Sequence, residues 1–465
     1  MLAPAMKVTL LGHASVLVEM AGVRCLMDPV LSDPFEEGTV VSCPRRVIDV
    51  RALPPIDVLI ISHGHLDHFD IPSLAQLPRS CHVICPKDHA IAYVMKSLGF
   101  TQVHETAPMT KMEFKGYELM TTHSSVSNVV ELGMVFKDRT GTFWNQVDTV
   151  LMPETIKVVR GLYGRPDLFF AMHASQNFGF FESRGTGFPH AMHALNLKTT
   201  LAVQPRMVVP GAAGFRFCGP VEWCNAFLFP MSRERFVADL ARLDPGIRAC
   251  IANPGDVFEV DAGKVKHRPG ASKVATMVED DTALLRFDPT APVPPLTDPN
   301  PDGHSAEALT RAVDDCLEGF FGFVRESYRA VDALVAEHRK LGATYAVGVV
   351  LPDGSERWYR VRLDEREPTC EKAGATPVLA DAVHRIAASV LRAWAAREKS
   401  YFYFRAYSRK FTTLYALSRA GDEVKVEPAP LEDLLGYYLQ RKAKGADMAL
   451  KQRLDLQLAP YLRAP

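Results

Sequence analysis

A chain of 465 residues is too long for one ordinary hydrophobic core, so its length predicts two or three domains. Apolar residues make up 47% of the chain and charged residues 23%, a balance typical of globular proteins and not of disordered or fibrous ones. The formal net charge of −1 gives no bulk attraction to nucleic acid or to anionic membranes, so neither partner is expected.

The first twenty residues alternate like a strand and lack the long apolar segment of a signal peptide. No apolar segment approaches the ~20 residues that a membrane-spanning helix needs. The nine cysteines are scattered, and the spacing of Cys81 and Cys85 does not fit a zinc knuckle. We therefore expect a cytoplasmic protein with reduced thiols and no membrane span.

The first part of the chain, from Lys7 to about Val260, predicts short strands separated by turns, with helices between some of them. The strands are predicted in the segments VTLLGHASVLVEMAGVRCLMD, VLIIS, HVICP, YELMTTH and ELGMVFKDRTGTFWNQVD. The segments IPSLAQL and KDHAIAYVMKSLG predict helices, the second ending at Gly99. This order is typical of sheets covered by helices, so we expect an α/β domain over residues 1–285.

A segment dense in proline, asparagine and aspartate, residues 286–302, predicts a linker. Residues 303–465 then predict an α+β domain with long amphipathic helices that end at Gly342 and a hairpin that turns at 352–354. The segment PVLADAVHRIAASVLRAWAARE predicts a further helix. The order of helix, hairpin and helix resembles sterol-carrier-type domains, without a shared motif. Substrate capture or dimerisation, giving a homodimer, is the role we expect for this domain.

The segment YFYFRAYSRKF, Tyr401 to Phe411, alternates aromatic and basic residues. Such side chains can stack on bases and bind phosphate. The same alternation is more typical of a strand with one buried face. Because the whole chain is nearly neutral, we favour the strand.

The segment IISHGHLDHFD, directly after an apolar strand, places four potential metal ligands within six residues: His63, His65, Asp67 and His68. Two histidines two residues apart can grip one metal, and Asp67 and His68 can face a second. Imidazole suits zinc or iron and a carboxylate adds a hard oxygen ligand, so the segment predicts a dinuclear site with an open position. Histidines that are merely solvated on a loop are the alternative, which this spacing disfavours.

This motif resembles the signature of the metallo-β-lactamase superfamily, which implies an αβ/βα sandwich. The resemblance continues in chain order at three further positions. It implies that His123 is the next ligand, that Asp148 bridges two metals, and that Asp28 orients a ligand histidine from outside the metal sphere. A turn histidine, a loop-capping aspartate and an Asp-Pro turn are the respective alternatives.

The sequence departs from the common hydrolases of this superfamily where they carry a last histidine after a late strand. The matching segment, PRMVVPGAAGFRF, offers only alanine and glycine at that point. We expect His173 to replace that ligand by its position at the end of a strand, with His190 and His193 as alternatives. A core or surface position is as good an interpretation for each of the three.

Three segments resemble the metallo-β-lactamase-like domain of cytidine-monophosphate N-acetylneuraminate hydroxylases: NQVDT, GTGFP and VQPRMVVPGAAGF. The similarity covers roughly residues 55–220. That family is iron-dependent and carries a Rieske domain, whose paired Cys-x-His and Cys-x-x-His segments are missing from this sequence. The loop ASQNFGFFESR is a second departure, so the substrate is not carried over and electrons are expected from a separate reductase.

Two mechanisms fit these residues. In the first, which the segment resemblance favours, two irons bind dioxygen and hydroxylate a small organic substrate. In the second, zinc, manganese or iron lowers the pKa of a bridging water to about 7 and delivers hydroxide to an ester, lactone or phosphoester. Asp67 and Asp148 are the catalytic candidates in both, and His13 either lines the pocket or belongs to the strand core. A metal-binding scaffold without activity is disfavoured because all the ligand segments are kept.

Overall fold

The computed structural model describes residues 5–125, 129–179, 187–330, 333–364, 366–428, 433–439 and 446–462. The chain forms two compact units. The first comprises residues 1–177, 187–291 and 457–465, and the second comprises residues 178–186 and 292–456. The division after residue 291 falls within the predicted linker of residues 286–302.

The first unit contains nineteen strands and six α-helices among its described residues, labelled in chain order. The strands are β1 (Met6–Gly12), β2 (Ser15–Met20), β3 (Val23–Met27), β4 (Val40–Ser42), β5 (Arg45–Ile48), β6 (Val58–Ile60), β7 (His82–Pro86), β8 (Val103–Thr106), β9 (Lys111–Phe114), β10 (Tyr117–His123), β11 (Leu132–Asp138), β12 (Thr142–Asn145), β13 (Leu168–Met172), β14 (Met207–Gly211), β15 (Phe215–Phe217), β16 (Arg248–Ala249), β17 (Val257–Asp261), β18 (Lys264–Arg268) and β19 (Ala275–Glu279). The helices are α1 (Ile71–Leu74), α2 (His89–Ser97), α3 (Pro153–Tyr163), α4 (His190–Val203), α5 (Asn225–Leu228) and α6 (Arg233–Leu243).

Two sheets pack face to face in this unit. Their strand orders are β18-β17-β1-β2-β3-β6-β7-β8 and β16-β14-β13-β12-β11-β10-β9. Successive side chains of a strand point to opposite faces, so Met134 and Phe136 of β11 lie in the core between the sheets with Val18 and Phe170. Val135 instead packs on the outer face with side chains of α3, α4 and α6. Because α2 contacts β8 at the edge of the other sheet, the unit is an αβ/βα sandwich.

Parallel strands in both sheets bring the predicted site residues together. Strands β3, β6 and β7 are parallel neighbours in one sheet, and β12, β13 and β14 are parallel neighbours in the other. Asp28 follows β3 and His63 follows β6, whereas Asp148, His173 and Gly214 follow β12, β13 and β14. The carboxyl ends of neighbouring parallel strands lie at one edge of a sheet, which is where open α/β sheets bind ligands.

The second unit contains a mixed sheet and helices among its described residues. Its elements are α7 (Ala306–Arg329), α8 (Ala333–Lys340), β20 (Thr344–Val350), β21 (Glu356–Leu363), β22 (Pro368–Gly374), β23 (Ala382–Ala387), α9 (Ala388–Ala395), α10 (Tyr401–Ala406), β24 (Ser408–Thr412), β25 (Tyr415–Ala420), β26 (Glu423–Pro428), α11 (Leu434–Leu439) and α12 (Ala446–Leu462), the last of which extends into the first unit. The sheet order is β22-β21-β20-β23-β24, and α7 contacts α9 and β22. The predicted α/β sandwich with an additional C-terminal α+β region is confirmed.

Two predictions for the second unit are wrong. The segment PVLADAVHRIAASVLRAWAARE is half strand, because β23 pairs in parallel with β20 before α9 begins. The aromatic segment from Tyr401 begins as helix α10 and becomes strand β24 only at Ser408. Phe404 is fully buried, with its ring centroid 3.8 Å from that of Trp394, so the predicted burial of aromatic side chains holds although the element that carries Phe404 is a helix.

No helix among the described residues is both long enough and apolar enough to cross a membrane. All nine cysteines are unpaired thiols, and six of them are buried.

Phe170 joins the two sheets and provides a test of the core. Its ring centroid lies 5.0 Å from that of Phe143 and 5.7 Å from that of Phe258. Truncation by Phe170→Ala removes these contacts and leaves a cavity, which costs about 3–5 kcal/mol in the free energy of unfolding. Denaturant titration followed by tryptophan fluorescence measures the loss. Phe114→Ala, at a side chain that is 44% exposed, is the control and should cost less than ~1 kcal/mol.

Candidate metal centre

The loop after β6 carries four of the predicted ligands in a tight turn. The backbone N–H groups of His68 and Phe69 both donate to the carbonyl oxygen of His65, at 3.0 and 2.8 Å. Within this turn His63 Nε2 lies 2.9 Å from His65 Nδ1. Two ligands of one metal, each ~2.1 Å from it and at a right angle, lie about 3 Å apart. The two imidazoles are therefore spaced as neighbours in one coordination sphere.

Asp28 and Ser62 orient two of these histidines. Asp28 is fully buried, and its carboxylate accepts from the backbone N–H of Ser62 at 2.7 Å and from the Ser62 hydroxyl at 2.6 Å. It also accepts from His68 Nδ1 at 2.9 Å. Because the Ser62 hydroxyl donates to Asp28, it accepts from His63 Nδ1, 2.9 Å away. Both rings thus carry their proton on Nδ1, which leaves each Nε2 lone pair available to a metal.

Asp148 stands between the two histidines that this network orients. Its carboxylate oxygen lies 3.3 Å from His68 Nε2, and an oxygen of Asp148 also falls within 4.8 Å of ligand atoms of His63 and His68. The preceding residue, Val147, has a left-handed backbone with φ of 57°. A β-branched residue is strained there, and its buried side chain in the core between the sheets holds it in place.

Glu131 lies beside the two histidines at the start of the motif. Ligand atoms of Glu131, His63 and His65 lie within 4.8 Å of one another, whereas His123 belongs to no such group among the described residues and is exposed at the end of β10. Ser124, the next residue along, is buried and donates to Glu131 Oε2 at 3.0 Å. The role of His123 as a ligand stays a prediction, and Glu131 is a candidate that the sequence analysis did not consider.

The arrangement fits two metal ions. Three overlapping groups of candidate ligands meet here: His63, His65 and Glu131; His63, His68 and Asp148; and His13, Asp67 and His68. His68 Nε2 is buried and has no hydrogen-bond partner of good geometry in the described part of the chain. A buried nitrogen in that state costs free energy, which a metal ion would recover.

The shifted pKa values of the buried carboxylates and histidines also favour a site that binds cations. Burial raises the pKa of Glu131 to about 7, and the nearby charge of Asp148 adds to the effect. Burial lowers the pKa of His63 well below its usual range. Burial opposes the charged form of His68, but the charges of Asp67 and Asp148 outweigh it and raise the pKa of His68. Burial likewise opposes the charged form of Asp148, but His68 lowers the pKa of Asp148 to about 2. A centre with this many buried carboxylates is stabilised by bound cations.

His13, at the end of β1, contacts the second part of the centre. The backbone N–H of Gly214 donates to His13 Nδ1 at 3.1 Å, and His13 Nε2 lies 3.1 Å from an oxygen of Asp67. Because Nδ1 accepts a hydrogen bond, the neutral ring carries its proton on Nε2 and donates it to Asp67. A protonated nitrogen does not bind a metal, so His13 holds a ligand carboxylate instead of acting as a ligand.

Gly214 is required for this contact. A Cβ atom at Gly214 would lie 2.8 Å from the Cα atom of His13, closer than real Cβ atoms approach a backbone. The segment that carries a last histidine in the hydrolases therefore supplies a backbone N–H group to His13 in this protein.

The three histidines proposed to replace the missing ligand belong to none of the candidate groups among the described residues. His173 is buried, and its Nδ1 donates to the carbonyl oxygen of Gly211 at 3.0 Å. Burial lowers the pKa of His173 to about 4, so the ring is neutral at pH 7. His193 pairs with Asp239 at 3.0 Å, and His190 is exposed at the start of α4. Residues 180–186, with parts of the expected loop ASQNFGFFESR and of GTGFP, lie outside the described residues.

Comparison with known proteins finds a family match for the N-terminal region. Residues 7–155 match the model of the beta-lactamase superfamily domain, so this region carries a metallo-β-lactamase superfamily domain. An uncharacterized protein of Mycobacterium tuberculosis is 41% identical over 70 residues, which are 14% of this chain and 18% of that protein. A putative Rieske 2Fe-2S iron-sulfur protein of Mycolicibacterium smegmatis is 25% identical over 179 residues, 36% of this chain and 34% of that protein. The matched segments thus span no more than about a third of these relatives.

Two solved structures match part of this chain at low identity. An isothiocyanate hydrolase from Delia radicum gut bacteria has a TM-score of 0.42 at 17% identity, covering 55% of this chain and all of that one. CmlA, a diiron beta-hydroxylase from Streptomyces venezuelae, has a TM-score of 0.35 at 19% identity, covering 46% of this chain and 45% of that one. The narrower resemblance to N-acetylneuraminate hydroxylases stays a prediction.

Asp28→Asn tests the orienting network. The amide keeps the shape but offers one acceptor oxygen where the carboxylate serves Ser62 and His68 together, so metal should be held 10- to 100-fold less tightly. Competition with a chelator, read by elemental analysis, measures this. Asp49→Asn, at an exposed carboxylate that caps a short turn, should leave metal affinity unchanged. Unchanged affinity in folded Asp28→Asn would show that the network does not support the metals.

The variant His13→Ala tests whether His13 binds a metal ion or only donates a hydrogen bond to Asp67. Because we assign the Nε2 proton of His13 to the bond with Asp67, this variant should keep two metal equivalents per chain. His68→Ala removes a nitrogen ligand and should keep one. Elemental analysis after gel filtration measures the metal equivalents per chain in both variants. Loss of one equivalent in His13→Ala would show that His13 is a ligand.

Proposed function

We propose that the protein is a dinuclear iron enzyme that uses dioxygen to hydroxylate a small organic substrate. The observation that carries this proposal is the convergence of His63, His65 and Glu131. Two histidines and one carboxylate with open positions are the donor set of many iron(II) oxygenases. Catalytic zinc sites use either three histidines or two histidines and a glutamate, so the preference for iron also draws on the second metal position.

The second metal position supports the same conclusion. Asp67, His68 and Asp148 are its candidate ligands, because His13 is a donor and the late strand supplies no histidine. Across the centre three imidazoles face three carboxylates. Hard carboxylate oxygens favour iron or manganese over zinc. One protein ligand fewer also leaves more room for an exogenous ligand.

The residues of such a site have different roles. Asp28 and Ser62 hold His63 and His68 in the tautomer that would bind metal, and Asp148 would be a ligand beside them. His13 keeps the carboxylate of Asp67 in place. When bound, two irons supply the activation of dioxygen.

The overall reaction requires an electron donor. Substrate R–H, dioxygen, two electrons and two protons give R–OH and water. We infer that a separate iron-sulfur or flavin reductase supplies these two electrons. The Mycolicibacterium smegmatis relative, named as a putative Rieske protein, supports a link between this type of domain and iron-sulfur electron transfer.

A metal-dependent hydrolase is the second candidate. The motif from His63 to His68 is common to hydrolases of the superfamily and favours it. Zinc or manganese would lower the pKa of a bound water to about 7 for attack on an ester, lactone or phosphoester. Asp67 would then position the nucleophile.

Anaerobic reconstitution with iron tests the proposal. We expect two equivalents of iron per chain, visible absorption from the iron pair once it is exposed to oxygen, and loss of iron in Glu131→Gln. Glu105→Gln, at an exposed carboxylate of β8, is the matched control and should retain both irons.

The reaction itself is read with isotopic oxygen. The reconstituted chain receives a chemical reductant, a metabolite extract and oxygen-18 gas, and mass spectrometry identifies products that carry the heavy isotope. Tightly held zinc, together with turnover of a generic phosphodiester without oxygen, would overturn the oxygenase in favour of the hydrolase.

A further inference from the structure

A cavity of about 490 Å³ lies in the first unit beside the turn that carries Gly214. Its volume falls within the range of pockets that enclose small organic ligands. Ala213, Gly214 and His173 form one wall, and the chain from Phe229 into the start of α6 forms another. Residues of the 282–287 segment complete it.

The cavity adjoins the metal centre through its Gly214 wall. The backbone N–H of Gly214 donates to His13, and His13 in turn contacts Asp67. His173 lies at the end of β13, between the strands whose ends carry Asp148 and Gly214. The cavity and the candidate ligands therefore share one edge of the second sheet.

Two arginines line the cavity, Arg233 and Arg286, and the carboxylates of Asp280 and Asp288 lie near enough to interact with their charges without forming close ion pairs. The Arg233 guanidinium is held by the Ala252 carbonyl oxygen at 2.8 Å and the Asn253 side-chain oxygen at 3.1 Å. Neither Arg233 nor Arg286 forms a close ion pair in the described part of the chain, whereas the neighbouring Arg216 is paired with Asp281.

Two further charged side chains line the cavity. Arg235 lies 3.4 Å from Asp239, which neutralises much of its charge. Glu234 is exposed. Arg233 and Arg286 therefore remain as the cations offered to a ligand.

The interior combines apolar surface with one hydrogen-bond acceptor. Phe229 and Met231 are buried and line the cavity. His173 donates through Nδ1 to Gly211, so its Nε2 carries a lone pair and no proton. That nitrogen has no partner among the described residues and accepts a hydrogen bond from a hydroxyl or amine.

We propose that this cavity binds an organic anion, with its carboxylate or phosphate group at Arg233 and Arg286 and its apolar body against Phe229 and Met231. A donor group on the ligand reaches His173. The further statement that this anion is the substrate rests on the function proposed above, whereas the binding itself does not.

Calorimetry with the metal-loaded full chain tests the binding. The probes share one apolar body: 1-naphthoate, 1-naphthyl phosphate and the neutral 1-naphthalenemethanol. Charge-assisted hydrogen bonds to arginine are the stronger kind, so at least one anion should bind ten-fold or more tightly than the alcohol. The tighter of the two anions identifies carboxylate or phosphate as the group recognised.

Substitutions locate the site. Arg233→Gln and Arg286→Gln should each weaken binding of the anion about ten-fold and leave the alcohol unchanged. Arg242→Gln, at a side chain that is 79% exposed on the same helix as Arg233, should have no effect. Because Arg286 is exposed, its variant retains the fold even where Arg233→Gln does not.

Two results would overturn the proposal: equal affinity for the alcohol and both anions, or anion binding that is unaffected in folded Arg286→Gln and Arg233→Gln. Failure of the oxygenase is a separate result. Arginine-dependent anion binding without oxygen-dependent turnover would remove the proposed reaction and leave the anion site in place.

Discussion

The buried carboxylate of Asp28 is the interaction on which the rest of the centre depends. It lies one residue beyond β3 and takes three hydrogen bonds from Ser62 and His68, which follow the neighbouring strand β6. A charge with no solvent exposure is costly unless it is fully bonded, and these partners meet that requirement. Because Asp28 follows β3 and these partners follow β6, the pairing of the two strands fixes the orientation of the His63 and His68 rings.

The other sheet supplies the carboxylates that complete the centre. Glu131 precedes β11 and Asp148 follows β12, two strands that pair antiparallel. The core of apolar side chains between the sheets keeps the two strand sets at fixed separation. The geometry of the candidate ligands therefore depends on packing in the core between the sheets. A core substitution that shifts one sheet would change the distances between these side chains.

The parts that were predicted from sequence are those in which local spacing determines the result. The ligands from His63 to His68 lie in one turn, and the strand before them was visible as an apolar segment. Glu131 was not found because its role depends on strand pairing that brings it beside His63, and an isolated glutamate carries no signal. His123 was chosen by its place after a strand, where the side chain turns out to be exposed.

Ser62 and His13 illustrate two further reasons why the site could not be fully predicted from the sequence. Ser62 stands directly before the motif, so its position was a usable signal, but its importance depends on Asp28 from another strand. His13 was noted at the end of β1, yet its tautomer follows only from the Gly214 contact. In the second unit, β23 resembled a helix because its alanine-rich sequence fits both periods, and its pairing with β20 decided the outcome.

The contact between Gly214 and His13 leaves the two metal positions unequal. Under the proposed assignment, one position would draw on His63, His65 and Glu131, and the other on Asp67, His68 and Asp148. Two imidazoles and one carboxylate differ in their affinity for a given cation from one imidazole and two carboxylates. The pair would therefore fill in sequence and could carry two different elements, with the more labile position set by whichever cation is abundant.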